Sequence, residues 1–298
     1  MDSRRTVCCA ARIGSRASVR ATILIVVAVL VAVSCATSPD EPIAAVDLAP
    51  GALAADELPT AWRLVWNDEF SGREIAPHWT HEVNAWGGGN NELQYYTARS
   101  ENSYVRGGKL HIVAREEDYE GSEGARAYTS ARLNTKGSGD WRYGRFEIRA
   151  KLPEGQGIWP AIWMLPTDEV YGGWAASGEI DIVELVGHRP GTVHGTLHYG
   201  GEWPMNTYTG DSFRLPDGER FSDSFHVFTL IWDEGSFRWY VDGEHYQTQR
   251  IWRTAGHDFP APFDQRFHML LNVAVGGNWP GPPDETTEFP QEMVVDYV

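Results

Sequence analysis

The sequence predicts an all-β fold, a sandwich of two antiparallel sheets, from three observations. Its 298 residues include 31 Gly and 17 Pro, which punctuate many short apolar runs. Several of these runs alternate between an aliphatic and a polar or aromatic face, as half-buried strands do. No long helical pattern is visible after the first sixty residues. The remaining chain, residues 62–298, is long enough to bury one large core.

Residues 1–35 have the layout of an export signal. Five arginines precede the apolar run Ala21–Val33, whose 13 residues are fewer than the roughly 20 that cross a bilayer. Val33-Ser34-Cys35 resembles the end of a bacterial lipoprotein signal, and Arg4-Arg5 is a faint twin-arginine signal. We therefore expect an exported protein, either secreted or lipid-anchored at the cell surface through Cys35.

Residues 36–61 are rich in Ala, Pro and acidic residues without periodicity, which predicts a disordered linker. The folded domain is then expected over residues 62–298. All three cysteines, Cys8, Cys9 and Cys35, lie in the leader. The domain therefore has no disulfide and no thiolate metal site.

The charge balance narrows the class of partner. The formal net charge is −16, and removal of a leader of net charge +4 would leave about −20. Such a surface disfavours nucleic acid, anionic membranes and sulfated polymers. We expect a neutral substrate, a monomer, no nucleic-acid partner, and membrane contact only through the lipid anchor at Cys35.

The predicted strands follow the apolar runs between turn signals. In chain order they are Arg63–Trp66, Lys109–Arg115, Thr129–Thr135, Gly144–Leu152, Ile158–Leu165, Gly178–Val186, Thr192–Tyr199, Phe225–Trp232, Phe237–Val241, His245–Thr248, Phe267–Val275 and Met293–Val298. Asp242-Gly243 has the composition of a tight hairpin turn between two of them. This number of strands suits two stacked sheets.

The stretch Gly178–Leu185 places three carboxylates within six positions, separated by β-branched residues that favour a strand. Glu179 and Asp181 share a face because alternate side chains of a strand point the same way. Glu184 is one residue out of step. A β-bulge near Ile182-Val183 would return it to the acidic face, and such bulges recur beside active sites. The alternative is a solvated acidic face without function.

Neighbouring strands weigh against a merely solvated face. Trp159 and Trp163 share one face of their strand, and exposed tryptophans suit stacking on the apolar face of a sugar ring. His194, Thr196 and His198 likewise share a face. A tryptophan taken alone is more often part of the core of a β-sandwich, and a lone histidine is more often a structural group than a catalyst. The coincidence with three acids favours a carbohydrate site.

Two loops and one residue add hydrogen-bonding and aromatic groups. They are Asn84–Tyr96, Gly276–Gly281 and Trp174. The sequence contains no HExxH, phosphate-binding loop or dinucleotide fingerprint, and His188, His194 and His198 do not predict a zinc site. We expect no cofactor for catalysis.

Two carboxyl groups flanking a glycosidic bond can hydrolyse it with retention when they lie ~5–5.5 Å apart, one attacking and one protonating. Two glutamates on one strand face favour this close arrangement. Asp181 between them would share a proton and raise at least one pKa by repulsion.

Glu179-Ile180-Asp181-Ile182-Val183-Glu184 resembles the bulged catalytic signature of glycoside hydrolase family 16. The resemblance extends across the domain through Trp66–Phe70, Asn91–Tyr96, Tyr143–Arg145, Ile158–Leu165, Val193–His198, Trp239–Gly243, Leu271–Gly281 and Val295–Val298. It is greatest to the laminarinase-like endo-β-1,3-glucanases. The resemblance implies a β-jelly-roll sandwich with a concave substrate cleft.

The same resemblance implies roles for individual residues. Glu179 is the expected nucleophile, Asp181 its assisting acid and Glu184 the general acid/base. The expected substrate contacts are Trp159, Trp163, Trp174, Asn91, Arg132 and His198. A structural calcium is expected at Glu69, the backbone of Gly108 and Asp296, an oxygen-rich set.

The expected activity is retaining hydrolysis of internal β-1,3 linkages in laminarin-like or fungal-wall β-glucan. Two alternatives stay open at this point. The cleft could take another polysaccharide, such as mixed-linkage glucan, agar or carrageenan, although the acidic surface weighs against sulfated carrageenan. The chain could also be a non-catalytic glucan-binding protein, although such relatives typically lose the catalytic glutamates, which are all present here.

Overall fold

The structure is a computed structural model that describes residues 62–298. Its seventeen strands are β1 (Thr80–Glu82), β2 (Gln94–Tyr96), β3 (Ser103–Val105), β4 (Leu110–Gly121), β5 (Gly124–Ser130), β6 (Arg132–Asn134), β7 (Asp140–Trp141), β8 (Gly144–Lys151), β9 (Ile158–Pro166), β10 (Glu179–Glu184), β11 (Thr192–Tyr199), β12 (Thr207–Arg214), β13 (His226–Asp233), β14 (Ser236–Val241), β15 (Glu244–Gln249), β16 (Phe267–Val275) and β17 (Gln291–Tyr297). A single 3-10 turn spans Gly87–Gly89.

The strands form two sheets, which confirms the predicted sandwich. The front sheet has the order β1-β6-β16-β9-β10-β11-β12, with β7 also paired to β16. The back sheet has the order β15-β14-β13-β8-β17-β4-β5-β2, with β3 also paired to β4. Pairing is antiparallel except between β2 and β5, which are parallel. The acidic strand β10 lies inside the front sheet, two strands from its β12 edge.

Most predicted strands are present, and three differences are informative. Arg63–Trp66 forms no strand, although Asp68 pairs with Val298 through two backbone hydrogen bonds of 3.0 Å. Thr129–Thr135 is two strands, because the chain leaves the back sheet in β5 and enters the front sheet in β6. The strand β12 was not predicted, since its residues are almost all exposed and polar.

The core lies between the sheets and is aromatic where the back sheet faces β10. Trp232 stacks on Phe237 with ring centroids 5.6 Å apart, and Trp239 lies beside Phe237 at 5.7 Å. The buried Trp239 Nε1 donates a hydrogen bond of 2.9 Å to the backbone carbonyl of Asp181. A side chain at Gly195 would meet this indole at 2.6 Å, so glycine is required there. The back sheet thus supports the acidic strand directly.

The predicted signal over residues 1–35, the anchor at Cys35 and the linker over residues 36–61 lie outside the described residues. They stay predictions, as does the domain boundary at residue 62. Within residues 62–298, no helix is both long and apolar enough to cross a membrane.

Candidate active site

The predicted bulge is present in β10. On the β11 side, Asp181 lies opposite Thr196 and Glu184 opposite His194, so three steps along β10 match two along β11. On the β9 side, Asp181 lies opposite Trp163 and Val183 opposite Ile162. Ile182 is therefore the extra residue, and it is buried at 2% exposure. The bulge returns Glu184 to the face that carries Glu179 and Asp181.

The three acids face a matching row on β11. Glu179 lies opposite His198, Asp181 opposite Thr196 and Glu184 opposite His194. Directly opposed residues in an antiparallel pair share a face. The structure therefore brings together the acids and the predicted polar row.

Two of the predicted tryptophans contact the outer acids through their indole N–H groups. Trp174 Nε1 donates to Oε2 of Glu179 at 2.8 Å, and Trp159 Nε1 donates to Oε1 of Glu184 at 3.0 Å. The sequence predicted substrate contacts at both positions. It missed the hydrogen bonds, which orient one carboxylate each and favour the charged forms.

The two glutamates have strongly raised affinities for a proton. Burial, and next the negative charge of Asp181, raise the pKa of Glu179 to about 7, while His198 and the Trp174 hydrogen bond oppose this rise. Burial also raises the pKa of Glu184 well above its ordinary value, and the charges of Asp181 and Glu179 add to the effect. Such shifts poise a carboxyl group to give and take a proton near neutral pH.

His198 supplies the positive charge among the acids. Its Nε2 lies 3.3 Å from Oδ2 of Asp181 and 3.7 Å from Oε1 of Glu179. Burial lowers the pKa of His198, but the close contact with Asp181 and the charges of the two glutamates outweigh it and raise that pKa to about 10. Each of Glu179, Asp181 and His198 offers one polar atom that lies within 4.8 Å of the other two. The imidazolium offsets part of the acids' repulsion.

Trp163 is held by a buried polar network. Its Nε1 donates to Oδ1 of Asn272 at 2.7 Å, and Nδ2 of Asn272 donates to the hydroxyl of Tyr96 at 3.2 Å. The Tyr96 hydroxyl in turn donates to Oε2 of Glu92 at 3.2 Å. The sequence singled out Trp163 as a candidate for sugar stacking. The link from Glu92, in the loop Asn84–Tyr96, to Trp163 was not predicted.

Arg132 belongs to the same network and is 5% exposed. Its guanidinium lies 3.7 Å from the carboxylate of Glu92 and 3.6 Å from that of Glu82. It also lies 4.6 Å from the Tyr96 ring centroid and 5.3 Å from the Trp163 ring centroid. Arg132 therefore packs against the Trp163 ring. Its contact with substrate stays a prediction.

Asn91 is exposed and is bonded to the second of the two predicted loops. Its Nδ2 donates to Oδ1 of Asn278 at 2.9 Å, and this bond joins the loop Asn84–Tyr96 to the loop Gly276–Gly281. Trp279, which follows Asn278, packs edge-on against Trp159 and His194, with ring centroids 5.5 Å and 5.1 Å apart. Trp279 therefore closes this end of the acidic face, and its place in the glycine-rich loop Gly276–Gly281 was the available signal.

The predicted calcium set is only partly arranged for a cation. Asp296 follows Val295, which pairs with Leu110, so it lies beside the Gly108 turn. The backbone of Asp68, next to Glu69, pairs with Val298. These oxygen donors suit calcium in kind. However, the Asp296 carboxylate pairs with Arg149 and, at 3.3 Å, with Lys109, which calcium would have to displace.

A β-sandwich that aligns three carboxyl groups on one sheet face, two of them bonded to cleft tryptophans, defines a glycoside hydrolase. The profile of glycosyl hydrolases family 16 matches residues 90–298. The chain belongs to this family.

Its relatives confirm the resemblance to laminarinase-like members. The chain is 42% identical over 252 residues to glucan endo-1,3-beta-glucosidase A1 of Niallia circulans, covering 79% of this chain and 37% of that protein. It is 47% identical over 258 residues to a beta-glucanase of Rhodothermus marinus, covering 83% and 87%. The catalytic domain of an endo-1,3-beta-glucanase (laminarinase) from Thermotoga petrophila has 44% identity and a TM-score of 0.71, covering 80% of this chain and 96% of that one.

Proposed function

We propose that the protein is a retaining endo-β-1,3-glucanase that cleaves internal linkages of laminarin-like or fungal-wall β-glucans. One observation carries the proposal. The bulge at Ile182 aligns Glu179, Asp181 and Glu184 on one face, where an indole N–H bonds each glutamate. The relatives named glucan endo-1,3-beta-glucosidase and endo-1,3-beta-glucanase support the linkage.

In the first half of the reaction, Glu179 attacks the anomeric carbon and Glu184 protonates the glycosidic oxygen as that bond breaks. The raised pKa of Glu184, caused first by burial, supports its role as the acid. His198 and Trp174 favour the charged form of Glu179, which the attack requires. A glycosyl ester on Glu179 is the product.

In the second half, Glu184 takes a proton from water, which attacks the anomeric carbon and releases Glu179. Asp181, buried at 2% exposure and on the same strand face as Glu179, positions the nucleophile. The two displacements restore the original anomeric configuration.

The experiment is cleavage of laminarin by the wild type and by Glu179→Ala, with and without azide. The wild type should release reducing oligosaccharides of retained configuration. The variant should be inactive and recover turnover with azide, giving an inverted glycosyl azide. Full activity without azide would remove the nucleophile assignment. Parallel assays on lichenan, agarose and carrageenan test the polymer, and release from agarose but not laminarin would overturn the substrate.

We also propose export, as a secreted or Cys35-anchored protein, and a structural calcium at Glu69, Gly108 and Asp296. Export is supported by the arginines and the apolar run Ala21–Val33. Fractionation of the expressing cells, with a Cys35→Ala variant, separates the free form from the anchored form. Calcium is supported by the family resemblance and the oxygen donors.

A further inference from the structure

The β12 edge of the front sheet carries an unassigned aromatic residue. Tyr208 lies directly opposite His198 in the β11–β12 pair and so shares the face of the three acids. The two ring centroids are 5.6 Å apart, and those of His198 and Trp174 are 5.7 Å apart. Trp174, His198 and Tyr208 therefore form a continuous row of rings that begins at Glu179 and ends at the sheet edge.

The loop before β12, residues 200–206, lies beside this row. Its backbone is bonded to the Trp174 segment, since the Trp203 N–H donates to the Trp174 carbonyl at 2.9 Å. Oε1 of Glu202 accepts a bond of 2.8 Å from the Gly173 N–H. The loop is thus fixed to the segment that carries the first ring of the row.

This fixed edge leaves large apolar side chains in water. Trp203 is 73% exposed, Met205 80% and Tyr208 67%. Two residues after Tyr208, on the same face of β12, lies Gly210, opposite Thr196. It adds no side chain to this face. A cluster of exposed apolar groups beside a site marks a surface that binds a ligand, and flat aromatic rings suit the apolar faces of sugar rings.

We propose that Tyr208 and Trp203 form an additional sugar-binding subsite, which stacks a β-glucan chain as it leaves the acidic face over the β12 edge. The occupant follows from continuity, because the ring row joins this edge to Trp174 and Glu179. The ligand is expected to be neutral, in keeping with the acidic surface. The inference rests on the proposed function and extends it to longer substrates.

The experiment measures the affinity of laminarin oligosaccharides of increasing length by titration calorimetry, in an inactive Glu179→Gln background. Added Tyr208→Ala or Trp203→Ala should remove the affinity gained by long chains, about 5- to 20-fold, and leave the shortest chains unchanged. In the active enzyme, the same variants should raise KM for laminarin by a similar factor, with kcat nearly constant. Tyr208→Phe, which keeps the ring, should behave like the parent protein.

The matched control is Tyr104→Ala, a tyrosine of β3 in the back sheet, which should change no affinity. Thermal melts establish that each variant is folded. If the parent neither cleaves nor binds β-1,3-glucan, the proposed function itself fails.

Three results would overturn the subsite while that function stands. They are unchanged affinities at every length, an equal loss for short and long chains, and concentration-dependent dimers abolished by the variants. The last result would assign the edge to a second copy of the chain.

Discussion

The indole Nε1 of Trp174 lies 2.8 Å from Oε2 of Glu179, so a residue expected to hold sugar also holds the nucleophile candidate. This bond lowers the pKa of Glu179 against burial and the charge of Asp181, which raise it. The tryptophan therefore links substrate binding to the ionisation of the acid beneath it.

Trp174→Phe keeps an aromatic ring, although a smaller one, and removes the indole N–H that makes the hydrogen bond. Because the bond favours the carboxylate, its loss should raise the pKa of Glu179 and move the acidic limb of kcat/KM upward by about one pH unit. The measurement is the pH profile of laminarin cleavage. Trp62→Phe, at 43% exposure comparable to the 40% of Trp174, is the control and should leave the limb in place. An unshifted limb in Trp174→Phe would contradict the coupling.

His198→Gln should move both limbs of the pH profile upward. His198 lowers the pKa of Glu179 and of Glu184, and removing its charge should raise both, by about one unit or more. His194→Gln, on the same strand face, is the matched control. Burial lowers the pKa of His194 and so disfavours its charged form, and its loss should therefore leave both limbs unchanged, whatever its effect on KM. Identical profiles for the two variants would rule out the charge argument.

Glu184→Gln should stabilise the fold at neutral pH while abolishing catalysis. The pKa of Glu184 rises on folding, so ionisation in the folded state costs stability. That cost is absent below the unfolded pKa of about 4.3 and grows as pH increases toward the folded pKa. The variant should therefore melt a few degrees above the parent at pH 7 and close to it at pH 4.

Glu147→Gln is the control of opposite sign. Burial would raise the pKa of Glu147, but hydrogen bonds from Arg145 and Tyr297 outweigh it and lower that pKa. Its contribution is present above the unfolded pKa and is lost as pH falls. Glu147→Gln should thus lower the melting temperature at pH 7 and matter less at pH 4. Shifts of the same sign in both variants would contradict the linkage.

The acidic strand was predictable because its signals are local. Glu179 and Asp181 are two positions apart and Glu184 is three further on, so all three can share a face only if the strand contains one extra residue. The β-branched residues between them favour a strand. The strand β12 was not predictable, since Thr207–Arg214 is polar on both faces and shows no hydrophobic alternation. Tyr208 was missed for that reason, because its place opposite His198 depends on the pairing of β11 with β12.

The Glu92 network was hidden from the sequence for a different reason. Glu92, Arg132 and Asn272 are far apart along the chain and meet only when β6 pairs with β16 and the loop around Glu92 folds over them. No spacing rule connects such residues. The switch of the chain between sheets at Ala131 has the same origin, because an unbroken strand pattern does not reveal which sheet each half joins.

Calcium should raise the melting temperature relative to a chelator, since binding only the folded state stabilises it. Asp296→Asn should lose this shift, and Lys109→Ala should increase it, because one competing cation is gone. Lys136→Ala, a lysine of the front-sheet side, should leave the shift unchanged. Equal melting temperatures with calcium and chelator in the parent would contradict the site and leave Asp296 as the partner of Arg149 and Lys109.

Glu92→Gln should weaken substrate binding and destabilise the fold. Glu92 is 7% exposed and lies 3.7 Å from the buried Arg132, so its removal leaves a buried cation short of charge, at a cost of about 3 kcal/mol. Because Arg132 and Tyr96 position Trp163, KM for laminarin should rise with a smaller change in kcat. Glu82→Gln removes the other carboxylate near Arg132. Because the Glu82 side chain is 28% exposed, this change should lower the free energy of unfolding by less than about 1 kcal/mol. Equal losses in the two variants would show that burial of Glu92 does not decide the strength of the network.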